Sequence, residues 1–254
     1  MTVNDIYMFL EQIAPFKYQE SYDNSGFLIG DKNAAITKIC VCLDITLDVI
    51  AEAKKAGANL IISHHPVIFK AVKGINAKTP VYELIRNDIN AVCAHTNFDV
   101  AFMSDIMISK LGFEPSREII EVTTPEGSGF GKIVNLPEFI SADELALKCK
   151  NAFKSPVIKY INGGKFVSRV GVCPGAGGSA FGFAAEKNCH AFITGEVKHS
   201  LFVEAKNIGI TLIDAGHFQT EISFCNFLKN KLCEQFPDSS VFVAESSANF
   251  CRYI

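Results

Sequence analysis

Residues 59–66 read NLIISHHP, and this stretch decides the fold class. Its first five residues form a short, mostly apolar run, which is the pattern of a strand buried on both faces. Two adjacent histidines follow where the strand would end, and a proline stiffens the chain behind them. Ligands of open α/β sheets bind at the carboxyl ends of the strands. The stretch therefore predicts a buried strand that presents two imidazoles at the edge where binding sites form.

Strand and helix patterns alternate on both sides of this stretch. Residues 38–43 and 90–94 have the apolar, β-branched composition of buried strands, whereas residues 46–55 and 104–111 have helical patterns. Strands that alternate with helices predict α/β layering, in which helices flank a sheet.

The second half of the chain repeats the pattern of the first. The predicted strand at 90–94 leads to HTNFD at 95–99, and the predicted strand at 210–214 leads to HFQTE at 217–221. Each half thus places a carboxylate four residues after a histidine that follows a strand. We predict an α/β protein of two similar lobes, residues 1–125 and 126–254, each with a mostly parallel sheet flanked by helices.

The composition is that of an ordinary globular protein, with 48% hydrophobic and 20% charged residues among 254. The net charge of −3, with scattered basic residues, argues against a dedicated nucleic-acid surface. The amino terminus lacks the features of a signal peptide, and no apolar stretch approaches the roughly 20 residues of a membrane span, so we predict a cytoplasmic location. The nine cysteines, an odd number, predict reduced and mostly buried thiols.

Four of the six histidines lie at or just after the ends of predicted strands. Adjacent imidazoles in a loop diverge, so they can serve two metal ions, and a carboxylate can bridge such a pair. Paired ions about 3.5–4 Å apart are the usual arrangement for activating a water molecule. Mixed imidazole and carboxylate ligands suit zinc, iron, manganese, cobalt or nickel without choosing among them. The predicted metal ligands are His64, His65, Asp99, His217 and Glu221.

The remaining polar candidates leave alternatives open. His95 is a candidate metal ligand, a group that orients Asp99, or a proton carrier. Glu196 ends a predicted strand, as the histidine pair does, and is a candidate base or orienting residue. We expect His190 and His199 to be capping or hydrogen-bonding residues.

Two loops are further candidates for binding polar groups. The glycine-rich loop at 175–179 (GAGGS) either cradles a phosphate at a helix amino terminus or is a tight turn. The segment at 23–26 (DNSG) has the pattern of an Asx turn that brings a polar group toward the site.

Seven motifs occur in the order seen in the Nif-three-like dinuclear metal proteins, which are also described as GTP cyclohydrolase I type 2 homologues. They are DNSGFLIG, IISHHPVIF, AHTNFDV, GFGKI, GAGGS, ITGE and AGHFQTE. The resemblance covers residues 23–221, and the SHHP and GHxxxE motifs are its most specific parts.

The resemblance implies a two-lobed α/β protein that assembles as a homohexameric ring, with metal pairs facing the interior. It implies that Glu221 bridges two ions, that His65 and Asp99 hold one, and that His64 and His217 hold the other. Many relatives carry an inserted domain between the lobes. This chain is too short for one, so we predict no third domain.

Two functions are compatible with these features. In the first, the resemblance implies a hydrolase in which water activated by the metal ions attacks C8 of GTP, releasing formate and giving dihydroneopterin triphosphate. His95 or Glu196 would move protons, and the glycine loop or Lys70 and Lys73 would bind the triphosphate. A variant of this function is phosphoester hydrolysis. In the second, the metal-binding ring is a regulatory or assembly platform. The sequence does not identify its protein or nucleic-acid partners.

Overall fold

The computed structural model describes all 254 residues and contains two compact units. The first comprises Met1–Ala101 and Phe224–Phe250, and the second comprises Phe102–Ser223 with Cys251–Ile254. These units differ from the predicted lobes of residues 1–125 and 126–254, because a late segment of the chain returns to the first unit.

The first unit is built on a five-stranded sheet. Numbered in chain order, its elements are α1 (Val3–Ile13), β1 (Gly26–Ile29), β2 (Ile39–Cys42), α2 (Leu47–Lys55), β3 (Leu60–Ser63), α3 (Pro80–Arg86), β4 (Asn90–Cys93), α4 (Thr96–Phe98), most of α10 (Ser223–Gln235) and β11 (Val241–Val243). The strand order is β1-β4-β3-β2-β11, and only β1 runs antiparallel to its neighbour. The prediction of a mostly parallel sheet is confirmed for this unit.

Burial explains why these segments are strands. Every residue of β2, β3 and β4 is buried, as their uninterrupted apolar runs predict. Helix α2 begins after Thr46, whose hydroxyl accepts a hydrogen bond from the Val49 N–H, and it buries the stripe Val49, Ile50 and Ala53.

The second unit is built on a six-stranded sheet. Its elements are α5 (Ser104–Lys110), β5 (Glu118–Val122), β6 (Gly129–Ile140), α6 (Ala142–Phe153), β7 (Lys159–Ile161), β8 (Val167–Cys173), α7 (Phe181–Glu186), β9 (Ala191–Thr194), α8 (His199–Ile208), β10 (Thr211–Asp214) and α9 (His217–Glu221). The strand order is β5-β6-β8-β9-β10-β7, in which only β8, β9 and β10 are mutually parallel. A short turn joins β5 to β6, so these two strands pair antiparallel.

This sheet is therefore mixed rather than mostly parallel, although the α/β class and the flanking helices are as predicted. A π-helical turn, Asp99–Met103, joins α4 of the first unit to α5 of the second. Helix α6 begins with a capping box, in which Ser141 and Glu144 exchange hydrogen bonds.

The prediction of reduced, mostly buried thiols is confirmed. All the cysteines are free, and only Cys233 and Cys251 are exposed. Burial raises the pKa of the Cys40 thiol to about 12, so this thiol stays protonated and unreactive at neutral pH.

Among the helices of both units, none combines the length and the apolar character that crossing a bilayer requires.

Candidate metal centre

The histidine pair lies at the end of β3, as the sequence predicts. The parallel ladder between β2 and β3 continues past the strand, because the His64 N–H donates to the Cys42 carbonyl over 3.2 Å and the His65 N–H to the Leu43 carbonyl over 2.9 Å. Backbone hydrogen bonds, rather than a mobile loop, thus fix the positions of both imidazoles.

The His64 ring is completely buried, and its tautomer is set by its surroundings. Its Nδ1 lies 2.9 Å from the Ala94 carbonyl oxygen and donates to it, which leaves the ring's lone pair on Nε2. Nε2 lies 3.5 Å from Oδ1 of Asp99. Phe224 packs against the ring, with 4.9 Å between the ring centroids.

Asp99 reaches this position through the helical turn that follows β4. The N–H groups of Phe98 and Asp99 both donate to the His95 carbonyl, at 2.8 Å and 2.9 Å. This turn places the Asp99 carboxylate beside His64 although the two residues are distant in the chain.

Carboxylates orient the two other imidazoles of the first unit. Nδ1 of His65 lies 2.8 Å from Asp44, and Nδ1 of His95 lies 2.8 Å from Asp23. One ring nitrogen each of His64, His65 and His95 lies within 4.8 Å of the others. Three imidazoles therefore converge in the first unit, and His95 lies with the two predicted ligands.

Asp23 is held by several donors at once. The hydroxyls of Thr96 and Ser25 donate to its Oδ2 over 2.5 Å and 2.8 Å, in addition to the His95 contact. Burial raises the pKa of a carboxyl, but the hydrogen bonds from His95, Thr96 and Ser25 outweigh it and hold the pKa of Asp23 well below its usual value. The DNSG segment thus brings a polar group to the site, as the sequence suggests.

The second unit contains a histidine–carboxylate pair on one short helix. His217 and Glu221 begin and end α9, and Nε2 of His217 lies 3.0 Å from Oε2 of Glu221. Nδ1 of His217 lies 2.9 Å from Glu196. Glu196 therefore lies in hydrogen-bond contact with His217, a geometry that fits the orienting role, one of the two alternatives that its position after β9 suggests.

Gly175 makes room for the Glu221 carboxylate. Its φ is +59°, and a Cβ built on it would lie 1.9 Å from Oε1 of Glu221. Its carbonyl accepts from the Gly195 N–H and the Thr194 hydroxyl, and its own N–H donates to Thr220. These contacts are those of a tight turn, which is one of the two alternatives given above for residues 175–179.

The distances in both units fit a divalent metal. Tetrahedral ligands about 2.0–2.1 Å from zinc lie roughly 3.3 Å from one another, and the two imidazole-to-carboxylate distances are 3.5 Å and 3.0 Å. Each imidazole also has its Nδ1 hydrogen bonded, which is the usual arrangement for metal-bound histidine. The side chains thus have the chemistry and spacing of metal ligands within each unit.

Asp44 was missed by the sequence analysis. It lies two residues after β2, just as His65 lies two residues after β3, so its position at a strand end was the available signal. His190 behaves as the sequence suggests, because its Nδ1 accepts a hydrogen bond from the Ser168 N–H over 3.2 Å.

The fold and the side chains define an α/β protein with sets of histidine and carboxylate residues that can bind metal. The family model for Duf34/NIF3 (NGG1p interacting factor 3) matches residues 1–249, and the chain belongs to this family.

Curated relatives and solved structures agree with this assignment. The chain is 30% identical to the GTP cyclohydrolase 1 type 2 homolog of Clostridium perfringens, over 98% of this chain and 97% of that protein. It is 29% identical to the GTP cyclohydrolase 1 type 2 of Helicobacter pylori, over 87% and 88% of the two chains. The crystal structure of a hypothetical protein from Staphylococcus aureus superposes with a TM-score of 0.92 at 25% identity, covering 100% of this chain and 99% of that one.

Proposed function

We propose that the protein binds two divalent metal ions and uses them to hydrolyse the imidazole ring of a purine nucleotide, with GTP as the candidate substrate. The observation that carries the proposal is the paired geometry: each unit sets an imidazole Nε2 beside a carboxylate, at 3.5 Å for His64 and Asp99 and at 3.0 Å for His217 and Glu221. The names of the curated relatives support the choice of reaction.

The proposed ligands are His64, His65, Asp99, His217 and Glu221. Because Asp99 contacts His64, we assign these two residues to one ion, in place of the His65–Asp99 pair that the family resemblance implies. His217 and Glu221 hold the other ion. Bound divalent ions supply Lewis acidity and lower the pKa of a water ligand.

His95 is the proposed proton carrier. Its Nδ1 donates to Asp23, which fixes the ring and leaves Nε2 as the atom that accepts or gives a proton. Asp23 keeps its negative charge at neutral pH because its pKa is lowered, so it remains an acceptor that holds the His95 ring in one orientation.

A neighbouring loop suggests how a nucleotide binds. Phe69 is 44% exposed, and its ring centroid lies 6.1 Å from that of His95. An exposed ring of this kind offers a face for stacking a base. Lys70 and Lys73 follow it and are exposed, which supports the proposal that they contact phosphate groups.

The test is anaerobic reconstitution with zinc, iron, manganese, cobalt and nickel in turn, followed by metal analysis and an assay of formate release from GTP. We expect two ions per chain and formate release with at least one metal. His217→Ala should lower the metal content, whereas His199→Ala, which removes an exposed histidine at the start of α8, should not. If two ions bind but no metal supports formate release, the hydrolase proposal fails and the binding-platform alternative stands.

We also propose a homohexamer, a state for which the family resemblance is the support. Light scattering coupled to size-exclusion chromatography measures the mass of the assembly directly, and a monomer at micromolar concentration would contradict the proposal.

A further inference from the structure

The imidazoles of the two histidine–carboxylate pairs differ in their access to solvent, although both carboxylates are largely buried. The His64 side chain is 0% exposed and that of Asp99 is 16% exposed. The His217 side chain is 35% exposed and that of Glu221 is 5% exposed, while Glu196, which contacts His217, is 64% exposed. A chelator or a substrate atom can therefore approach His217 directly, but it cannot approach His64 without an opening of the fold.

The pairs also differ in the group behind each imidazole. The carbonyl of Ala94 accepts from His64, and it is neutral and fixed in the backbone. The acceptor for His217 is the carboxylate of Glu196, whose side chain is exposed. A carboxylate behind a histidine makes the imidazole a stronger donor to a metal. Of the two pairs, the one that contains His217 therefore depends on an exposed, charged group for the strength of its imidazole as a ligand.

We propose that His217 and Glu221 form an exchangeable metal position whose affinity Glu196 sets, while His64 and Asp99 form a position that retains its ion. This inference rests on the proposed binding of two ions. It makes Glu196 a positioning residue, which acts through His217 and touches no substrate.

The exchangeable position is also the one that takes an external ligand. A metal site that acts on substrates needs a coordination position reachable from solvent, whereas an enclosed site does not offer one. The exposure of His217 meets this requirement, and the burial of His64 does not.

The experiment measures metal release rather than activity. Protein loaded with two Co²⁺ ions is mixed with a chromophoric chelator, and release is followed over time. We expect two phases of equal amplitude, one fast and one slow. In Glu196→Gln we expect the fast phase to accelerate and the affinity of that position to fall by about 10- to 100-fold, with the slow phase unchanged.

The matched control is Glu204→Gln, which neutralises an exposed carboxylate of the second unit on α8 and should leave both phases unchanged. Wild-type protein that releases both ions in a single phase would overturn the inference, as would Glu196→Gln if it changed the slow phase or neither phase. Wild-type protein that binds fewer than two ions would instead overturn the proposed function, so the two failures are distinguishable.

A second measurement tests the external ligand. Azide, used as a small anionic probe, should alter the visible absorption of protein with two Co²⁺ ions. After the fast ion has been removed, the same probe should leave the spectrum of the remaining Co²⁺ unchanged. An azide response that survives removal of the fast ion would assign ligand access to the other position and contradict the proposal.

Discussion

The two units bring a histidine and a carboxylate together by different routes. In the first, His64 follows a strand and Asp99 follows a separate helical turn, so the sheet and several backbone hydrogen bonds must form before the two meet. In the second, His217 and Glu221 are one helical turn apart on α9 and meet through local geometry alone. The first pair thus depends on the fold as a whole, and the second depends on its immediate neighbours.

The largest effect is expected from a substitution of Gly175, a neighbour of the His217–Glu221 pair. In Gly175→Ala the new Cβ would lie 1.9 Å from Oε1 of Glu221, so the carboxylate must move. We expect the variant to lose one of the two bound ions, which metal analysis by mass spectrometry measures.

The control for this variant is Gly112→Ala. Gly112 also has a positive φ, +64° against +59°, but a Cβ there meets nothing within 4 Å. Both variants should pay a similar backbone cost of about 1 kcal/mol, and only Gly175→Ala should lose metal. Equal metal contents in the two variants would show that the space beside Glu221 is not what holds the ion.

A second experiment compares the two histidines in metal-free protein, where ligand binding does not contribute to stability. His64→Ala removes a completely buried ring that packs on Phe224 and donates to Ala94, so we expect the free energy of unfolding to fall by about 2–4 kcal/mol. His217→Ala removes a ring that is 35% exposed and should cost less than about 1 kcal/mol. Urea unfolding with a chelator present measures both values, and equal losses would contradict the difference between the units.

The smallest expected effect is on the pH dependence of the free energy of unfolding. It compares Asp23 with Glu196, the carboxylates that contact His95 and His217. The lowered pKa of Asp23 means that its charged form stabilises the fold above the usual carboxyl pKa of 3.8, and that this contribution is lost as the pH falls through the lower, folded-state pKa. Asp23→Asn should therefore cost about 1–3 kcal/mol at neutral pH, and the difference from wild type should shrink at acid pH.

Glu196→Gln is the counterpart in the second unit. Because Glu196 is 64% exposed, its replacement should leave the free energy of unfolding unchanged at both pH values. Urea unfolding at neutral and acid pH tests both variants, and a difference for Asp23→Asn that does not depend on pH would show that the charge of Asp23 is not what stabilises the fold.

The sequence predicts best what depends on local pattern. The strand before His64 is found because a buried parallel strand is apolar throughout, and the pairing of His217 with Glu221 is found because a helix sets it. The pairing of His64 with Asp99 is not found, since it depends on how a turn after β4 is placed against the end of β3.

The pattern of apolar residues also does not predict how the chain is divided into units. The partner of the strand near the end of the chain is not predicted, because an apolar run does not specify which strand it pairs with. In the structure β11 pairs in parallel with β2. The antiparallel pairing of β5 with β6 likewise depends on a turn and on a strand, β5, whose apolar residues are interrupted by Glu121, with only one of them buried.

The pairing of β11 with β2 has a consequence for how the protein is made. The second unit lies almost entirely within one stretch of chain, Phe102–Ser223, and all of its strands are synthesised before β11. The first unit, although it is translated first, must wait for Phe224–Phe250 to complete its sheet. The unit that is translated first is thus the one whose sheet is completed last, the reverse of the usual order of co-translational folding from the amino terminus onward.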